Sequence, residues 1–507
     1  MTTPMTMPTA TSPERLPERV WSSAQVRDLE QLAIRDGVTE YELMCRAGEA
    51  AFGVILRRWP AAQSIAIVCG AGNNAGDGLV VARLAHAAGR VVKVLLLVPE
   101  ARFKGAAAQA ADACRAAGLP FAAFDAGALG EGDVIVDALL GTGLAREVAG
   151  DFRLAIDAVN AAGAPVLALD VPSGLDADTG WPNPVAVRAA ATLTFLGLKQ
   201  GLFLGAAPDH CGELEFAGLD LPPELGAGIA VPMKRLVRAD LEHALPRRPR
   251  SAHKGSCGKL LLVGGGPGMP GAIRLAAEAA LRVGAGLVYV ATHRDSVSSV
   301  LSGRPEIICH SVGSANDLED LVSTVDGIVL GPGLGRSAWA YGLWRQLVRA
   351  NVPLVLDADG LNLLAAEPFE RANWLLTPHP GEAARLLPGA TVESVQRDRL
   401  GAARALADRY GAIAVLKGPN TLVASQRSEE PIRVCDRGNP GMATGGMGDV
   451  LAGTLGALLV QTGDLDQAAR AGVLLHALAG DAAAKGGERG TLAGDLFPHL
   501  RAWANPS

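Results

Sequence analysis

Short runs of Val, Ile and Leu recur along the chain and alternate with longer Ala-rich stretches of helical periodicity. In the first half the runs are SIAIVCG (64–70), VVKVLLLV (91–98), DVIVDALL (133–140) and PVLALDV (165–171). In the second half they are KLLLVGG (259–265), GLVYVAT (286–292), GIVLGPG (327–333), PLVLDAD (353–359) and AIAVLKG (412–418). Near-continuous apolar strands set between helices mark parallel sheets covered on both faces, so each half is expected to be wound from βαβ units. Each run ends in a loop bearing Gly, Pro or Asp, and proteins of this kind place their ligands at the carboxyl ends of the strands.

The chain has 507 residues, too many for one core, and two domains are expected over 21–225 and 251–505. The Pro- and Arg-rich segment 226–250 interrupts the pattern and reads as a linker. Residues 1–20 lack an apolar core and carry Glu14 and Glu18, so they read as a disordered tail rather than a secretory leader. With 49% hydrophobic residues, 19% charged residues and a net charge of −6, the chain has the composition of a globular enzyme. It carries no electrostatic footprint for nucleic acid or an anionic membrane. No run of about 18 apolar residues is present to span a bilayer. The seven Cys are scattered without CxxC pairs, which argues against a disulfide framework or zinc site and fits the reducing cytoplasm. Small-molecule nucleotides are the partners expected, and the chain is expected to form a homo-oligomer.

The most informative stretch is GNPGMATGGMGDVLAGTLGALL, 438–459. Gly441, Gly445, Gly446 and Gly448 let consecutive backbone N–H groups converge on an anion, and Asp449 opens the apolar helix that follows. A carboxylate held beside a phosphate site can take a proton from a hydroxyl, although the same Asp could simply cap the helix. Further loops accompany it: HKGSCGKLLLVGGGPGMPGA (253–272), Pro305–Glu306, GPGLGR (331–336), and VLDADGLNLL (355–364) with two carboxylates at a strand terminus. LTPHPGEAARLL (376–387) sets His379 between prolines, and LKGPNT (416–421) offers Lys417 and Thr421. All are expected to converge on one face of a single sheet.

In the first half, GAGNNAGDGLVVAR (70–83) forms a glycine turn into a helix whose free N–H groups suit a phosphate. DALLGTGLAREV (137–148) and LDVPSGLDADTG (169–180) follow the third and fourth strands. Together the three loops bring Asn74, Asp137 and Ser173, oxygen-bearing side chains of the kind hard cations favour, to neighbouring strand ends.

GxGNNxGDG, DxxxGTG, LDVPSGLDADTG and TLTFLGLKQG, in this order, resemble the NAD(P)H-hydrate epimerase domain. The resemblance implies a Rossmann-like fold and contacts to the hydrated nicotinamide nucleotide from Asn73, Asn74, Ala75, Gly76 and Asp77. It also implies contacts from Gly141, Thr142, Gly143, Leu144, Ala145, Arg146 and Glu147, and from Asp170. Potassium (K+) is implied between Asn74, Asp137 and Ser173. Ala75 departs from the glycine usual there, a change that a negative φ would tolerate. Inversion of a hemiaminal carbon needs a carboxylate, and Asp170 is assigned as the base; Lys199 is a weaker candidate for its charge partner, since an exposed structural lysine is the reading preferred for it.

HKGxxG, GPGLG, LTPHPGE and GNPGMATGGxGDVLAG resemble the ADP- or ATP-dependent NAD(P)H-hydrate dehydratase family, which has a ribokinase-like fold. Ala272, Gly333, His379 and Asp449 are then implied for the hydrate. Lys417, Gly418, Pro419, Asn420 and Thr421, with Asn439, Gly445, Gly446 and Gly448, are implied for the nucleotide. Met269 stands where an aromatic residue is common. The architecture expected is therefore α/β, two doubly wound three-layer domains, the N-terminal one Rossmann-like and the C-terminal one ribokinase-like.

Water leaves a ring carbinol more readily once the hydroxyl is phosphorylated, and Asp449 as base with the Gly445–Gly448 amides on the transferring phosphoryl group would accomplish that. Mg2+ is expected on the nucleotide phosphates on charge grounds, although no dedicated ligand set is visible. The order of domains resembles the bacterial fusion that uses ADP and yields AMP and phosphate; the chemistry of the residues alone does not choose ADP over ATP. A ribokinase-type small-molecule kinase, and a non-catalytic ligand-binding first domain, are the alternatives. A dinucleotide-dependent dehydrogenase is disfavoured by Ala75, where GxGxxG places its last glycine.

Overall fold

The computed structural model describes residues 16–143, 147–426 and 429–505. The chain divides into two compact units, with the boundary between Met233 and Lys234.

In the first unit seven strands lie in the spatial order Phe121–Ala123, Val91–Leu96, Ser64–Cys69, Val134–Ala138, Val166–Leu169, Ala191–Phe195, Glu213–Ala217. Every neighbouring pair is parallel. From Ser64–Cys69 the chain winds outward one way and then returns to wind outward the other. The loops after Cys69 and Ala138 therefore flank the switch point where such sheets bind ligands. Alternation along the first strand sends Ile65 and Ile67 into one core layer and Ala66 and Val68 into the other. The first layer is closed by helices Glu40–Arg58, Asn73–Ala87 and Gly105–Ala116, the second by Asp151–Ala161. The four apolar runs read from the first half are all strands; Phe121–Ala123, Ala191–Phe195 and Glu213–Ala217 are additional to them.

In the second unit Ile308–Ser311, Leu287–Thr292, Lys259–Val263, Gly327–Leu330, Leu354–Leu356, Trp374–Leu376 and Ile413–Leu416 are parallel neighbours in that order. Thr421–Ala424 and Ile432–Cys435 extend the sheet antiparallel. The helix that begins at Met447 runs to Thr462 and is buried along most of its length. A Cβ on Gly453 would stand 2.0 Å from the Ala276 carbonyl oxygen, so only glycine lets this helix lie directly on Pro270–Val283.

The segment 226–250 is largely structured. Arg19 Nη1 donates to the Gly226 carbonyl at 3.0 Å, and Ile229 and Val231 pack against Trp21, Val26 and Leu29 of the first unit. From Lys234 onward the chain packs into the second unit: Arg235 pairs with Asp436 at 2.7 Å, and helix Arg238–Ala244 buries Leu241. The Pro and Arg residues conceal the apolar spacing of Leu236, Leu241 and Ala244, all of which enter that core. Within the segment read as a tail, Leu16 and Val20 are buried and Arg19–Trp21 pairs in parallel with Leu198–Lys199. All seven cysteines are free thiols. Among the described residues no helix is long and apolar enough to cross a membrane.

Candidate functional sites

In the first unit the glycine turn and the loops after Ala138 and Leu169 line a cavity of about 500 Å³. Asn73, Asn74, Asp77, Gly141, Thr142, Gly143, Asp170 and Lys199 all line it. Asn73 to Asp77 form the first turn of helix Asn73–Ala87, where N–H groups lack intrahelical partners. Ala75 lies within that helix and is not among the positive-φ residues, so its methyl costs nothing in backbone strain. Leu144, Ala145 and Arg146 lie outside the described residues. Glu147 is exposed and does not line the cavity.

Asp137, Ser173 and Asn74 converge. Ser173 Oγ is 2.6 Å from Asp137 Oδ1, the Ser173 amide donates to Oδ2 at 2.8 Å, and Asn74 Nδ2 donates to the Leu140 carbonyl at 3.0 Å. Burial pushes the Asp137 carboxyl up to about 6 against the lowering effect of the Ser173 hydrogen bonds. Asn74 Oδ1 is buried and has no hydrogen-bond partner among the described residues, an arrangement that costs free energy unless something else satisfies it.

Asp170 has φ +66°, the left-handed region that is unfavourable for a residue with a side chain, and it follows the strand Val166–Leu169 directly. Its carboxylate is paired with the Lys199 ammonium, whose side chain is 1% exposed. Lys199 Nζ also donates to Thr194 Oγ1 at 3.0 Å and the Phe195 carbonyl at 2.9 Å. Lys199 is therefore a buried partner of Asp170. Two acids join them on the cavity wall. Burial, then Asp170 and Glu30, drive Asp77 well above the ordinary carboxylate range; burial, then Glu40 and Asp170, raise Glu30. Glu30 was missed because its helix Ser23–Arg35 carries no glycine motif.

In the second unit the loops that follow the strand ends Val263, Leu330, Leu356, Leu376 and Leu416 stand at the carboxyl edge of the sheet. Gly331 has φ +130° and a Cβ there would sit 1.8 Å from the Asp357 carbonyl oxygen, so glycine seats the two loops against one another. Asp357 accepts from Lys417 Nζ at 2.7 Å and from Thr377 Oγ1 at 2.7 Å, and Glu382 lies 3.8 Å from the same ammonium. Burial alone would pull Lys417 down, but Asp357 and Glu382 outweigh it and hold it above its ordinary value. Lys417, read as a nucleotide contact, is thus shared with two carboxylates. Glu382, although inside the quoted LTPHPGE motif, was not singled out.

Asp449 is the third residue of helix Met447–Thr462, entered through Gly446 at φ +93°. Burial first, and Asp357 next, push its carboxyl up to about 7, with Lys417 opposing. A Cβ on Gly448 would stand 3.4 Å from Lys417 Nζ, which places the glycine loop over the Lys417–Asp357 pair. Asn439 anchors the other end of the loop, donating to Asp481 at 3.0 Å and accepting from the Gly441 amide at 3.0 Å. Arg399 guanidinium donors reach the Lys417 and Asn420 carbonyls and support the span through Gly418, Pro419 and Thr421. Gly333 and Ala272 are neighbours, since a Cβ on the glycine would meet the Ala272 methyl at 3.2 Å. His379 Nδ1 accepts from the amides of Gly381 and Glu382 at 3.0 and 3.3 Å and caps the short helix Pro380–Leu386. Burial, helped by Lys417 and Arg385, lowers its pKa.

Convergence on a single face does not extend to every motif. HKGSCG precedes the strand Lys259–Val263, and Pro305–Glu306 precedes Ile308–Ser311, so both lie at the amino edge of this parallel sheet, opposite Asp449. A motif beside a strand gives no sign of which end it occupies until strand direction is known.

Two wound α/β units, each with ligand-ready loops at the carboxyl ends of its strands, define a two-domain α/β enzyme. Residues 260–501 match the family described as NAD(P)H-hydrate dehydratase, and residues 40–201 match the YjeF-related protein N-terminus. The bifunctional NAD(P)H-hydrate repair enzyme Nnr of Coxiella burnetii is 51% identical over 96% of this chain and 99% of its own. Its namesake from Escherichia coli is 44% identical over 98% and 96%. A ribokinase-like superfamily protein from Enterococcus faecalis superposes with TM-score 0.50 at 28% identity, covering 54% of this chain and 95% of its own. The chain belongs to the bifunctional NAD(P)H-hydrate repair enzyme family.

Proposed function

We propose that the first unit interconverts the R and S hydrates of NADH and NADPH and that the second dehydrates the S form at the expense of ADP, giving AMP and phosphate. The observation that carries the second assignment is Asp449: a carboxyl with a pKa near 7, beside a glycine loop at a helix start. In dehydration Asp449 takes the proton of the ring hydroxyl as that oxygen attacks the terminal phosphorus of ADP, and AMP departs. The ring nitrogen lone pair then expels phosphate, and loss of a proton from the adjacent carbon restores the dihydropyridine. The Gly445–Gly448 amides hold the charge of the transferring group, and Ala272, Gly333 and His379 position the hydrate. Lys417 to Thr421 and Asn439 hold the nucleotide. Mg2+ belongs to the nucleotide phosphates, since Asp357 is already committed to Lys417 and Thr377.

In epimerisation Asp170 acts as the base, oriented by Lys199, while Asp77, raised above the ordinary carboxylate range by burial, lies on the wall of the same cavity. The buried Asn74 Oδ1, without a partner among the described residues, the Asp137 carboxylate and Ser173 Oγ fit a potassium ion, which would supply a fixed positive charge beside the substrate phosphates. The Asn73–Asp77 turn and Gly141–Gly143 receive the nucleotide. Free thiols throughout suit the cytoplasm, and a homo-oligomer remains part of this reading.

The test is a mixture of R and S hydrates given ADP, ATP or neither, with recovery of the dihydronicotinamide absorbance followed. Recovery with ADP supports the proposal, and no recovery with either nucleotide overturns it. Accumulation of a stable phosphorylated hydrate would favour a small-molecule kinase instead.

A further inference from the structure

Two motifs of the second unit, HKGSCG and Pro305–Glu306, lie at the amino edge of its sheet, the edge opposite Asp449. Between them opens a cavity of about 1100 Å³, lined by Ser256 and Cys257 of the first motif and Glu306 of the second. Five arginines, 247, 248, 282, 304 and 501, line it against two glutamates, 278 and 306, leaving three positive charges in excess.

Glu278 cannot neutralise its neighbours. Its side chain is 7% exposed and is shared by Arg304, by Arg282 at 3.6 Å and by Arg274 at 3.9 Å, three guanidiniums to one carboxylate. The ends of helices Pro270–Val283, Met447–Thr462 and Leu496–Trp503 also reach the cavity, and helix carboxyl termini attract cations. Arg248 is used in that way, donating to the Gly284 carbonyl and to Gln461 Oε1. Arg247 and Arg501 are not: among the described residues neither side chain makes a hydrogen bond or ion pair, though both line the cavity.

We propose that this cavity binds a small polyanion carrying two or more phosphate groups, at a site separate from the glycine loop of Asp449. Guanidinium forks match phosphate oxygens in pairs, which suits an arginine-rich wall to this ligand class better than to a carboxylate of single charge. The volume accommodates a nucleotide-sized molecule.

The test is calorimetric titration of the full chain with inorganic tripolyphosphate at near-physiological salt, in wild type and in Arg247→Ala/Arg501→Ala. The wild type should show a class of site that the double variant lacks or binds at least about tenfold more weakly, as loss of charged hydrogen bonds requires. The KM for ADP in dehydration, and the thermal midpoint, should be unchanged. Equal isotherms for the two proteins, or no binding to the wild type, would overturn the proposal. A parallel rise in the KM for ADP would also overturn it, because the anion would then be occupying the nucleotide site.

Discussion

Lys417 Nζ stands 2.7 Å from Asp357 Oδ1, and the two members of this pair act on Asp449 in opposite senses. Asp357 raises the Asp449 carboxyl and Lys417 lowers it, with burial the largest influence, and the balance is a pKa of about 7. A general base acts only when deprotonated, so dehydration should rise with pH through about 7. Asp357→Asn removes a raising influence, and the acid limb of its kcat profile should move to lower pH. Profiles of wild type and variant test this; a wild-type limb at the ordinary carboxylate value would contradict it.

Asp170→Asn should abolish most epimerisation, on the order of 10²- to 10⁴-fold, and also destabilise the first unit. It leaves the Lys199 ammonium, 1% exposed, without its carboxylate, a loss of about 3 kcal/mol or more. Asp170→Asn/Lys199→Met should recover much of the thermal midpoint and none of the epimerisation. If the double variant regains activity along with stability, Asp170 has only a structural role.

Potassium should raise the thermal midpoint of the wild type relative to an equal concentration of choline, because a ligand bound only by the native state stabilises it. Asn74→Ala removes the buried Oδ1, which has no partner among the described residues, and should diminish that rise. An identical rise in wild type and variant would place the ion elsewhere.

A fragment beginning at Lys234 should fold and dehydrate the S hydrate, whereas one beginning at Ser251 should be much less stable. The shorter piece loses Leu236, Leu241 and Ala244 from the core of the second unit. Each buried Leu contributes about 1.5–3 kcal/mol. Thermal melts of the two fragments decide it, and equal midpoints would contradict the assignment of 234–245 to that unit.

The strands legible in the sequence were those whose Val, Ile and Leu runs are long enough to stand out, such as Ser64–Cys69 and Lys259–Val263. Trp374–Leu376 and Phe121–Ala123 are only three residues each, too short for a periodic signal. The loops at the carboxyl edge were legible because glycine, proline and carboxylate fall together in Gly438–Asp449 and LTPHPGE. What joins them was not: Glu382 and Asp357 meet at Lys417 from positions 35 and 60 residues away, a convergence only the register of the sheet creates. The opposite placement of HKGSCG was likewise invisible, because spacing carries no strand direction.

The two sites have separate duties, and the most direct measurement of this is one set of progress curves. A mixed R and S hydrate is incubated with ADP and wild type, Ser173→Ala or Asp449→Asn, and the dihydronicotinamide absorbance is followed. Wild type should consume the whole mixture rapidly. Ser173→Ala should consume the S portion at the wild-type rate and then slow to the spontaneous rate of epimerisation. Asp449→Asn should fall by roughly 10²- to 10⁴-fold from the outset while its thermal midpoint holds, since Asn caps a helix about as well as Asp. Consumption of the R portion by Ser173→Ala at the wild-type rate, or more than about a third of wild-type turnover in Asp449→Asn, would contradict the account.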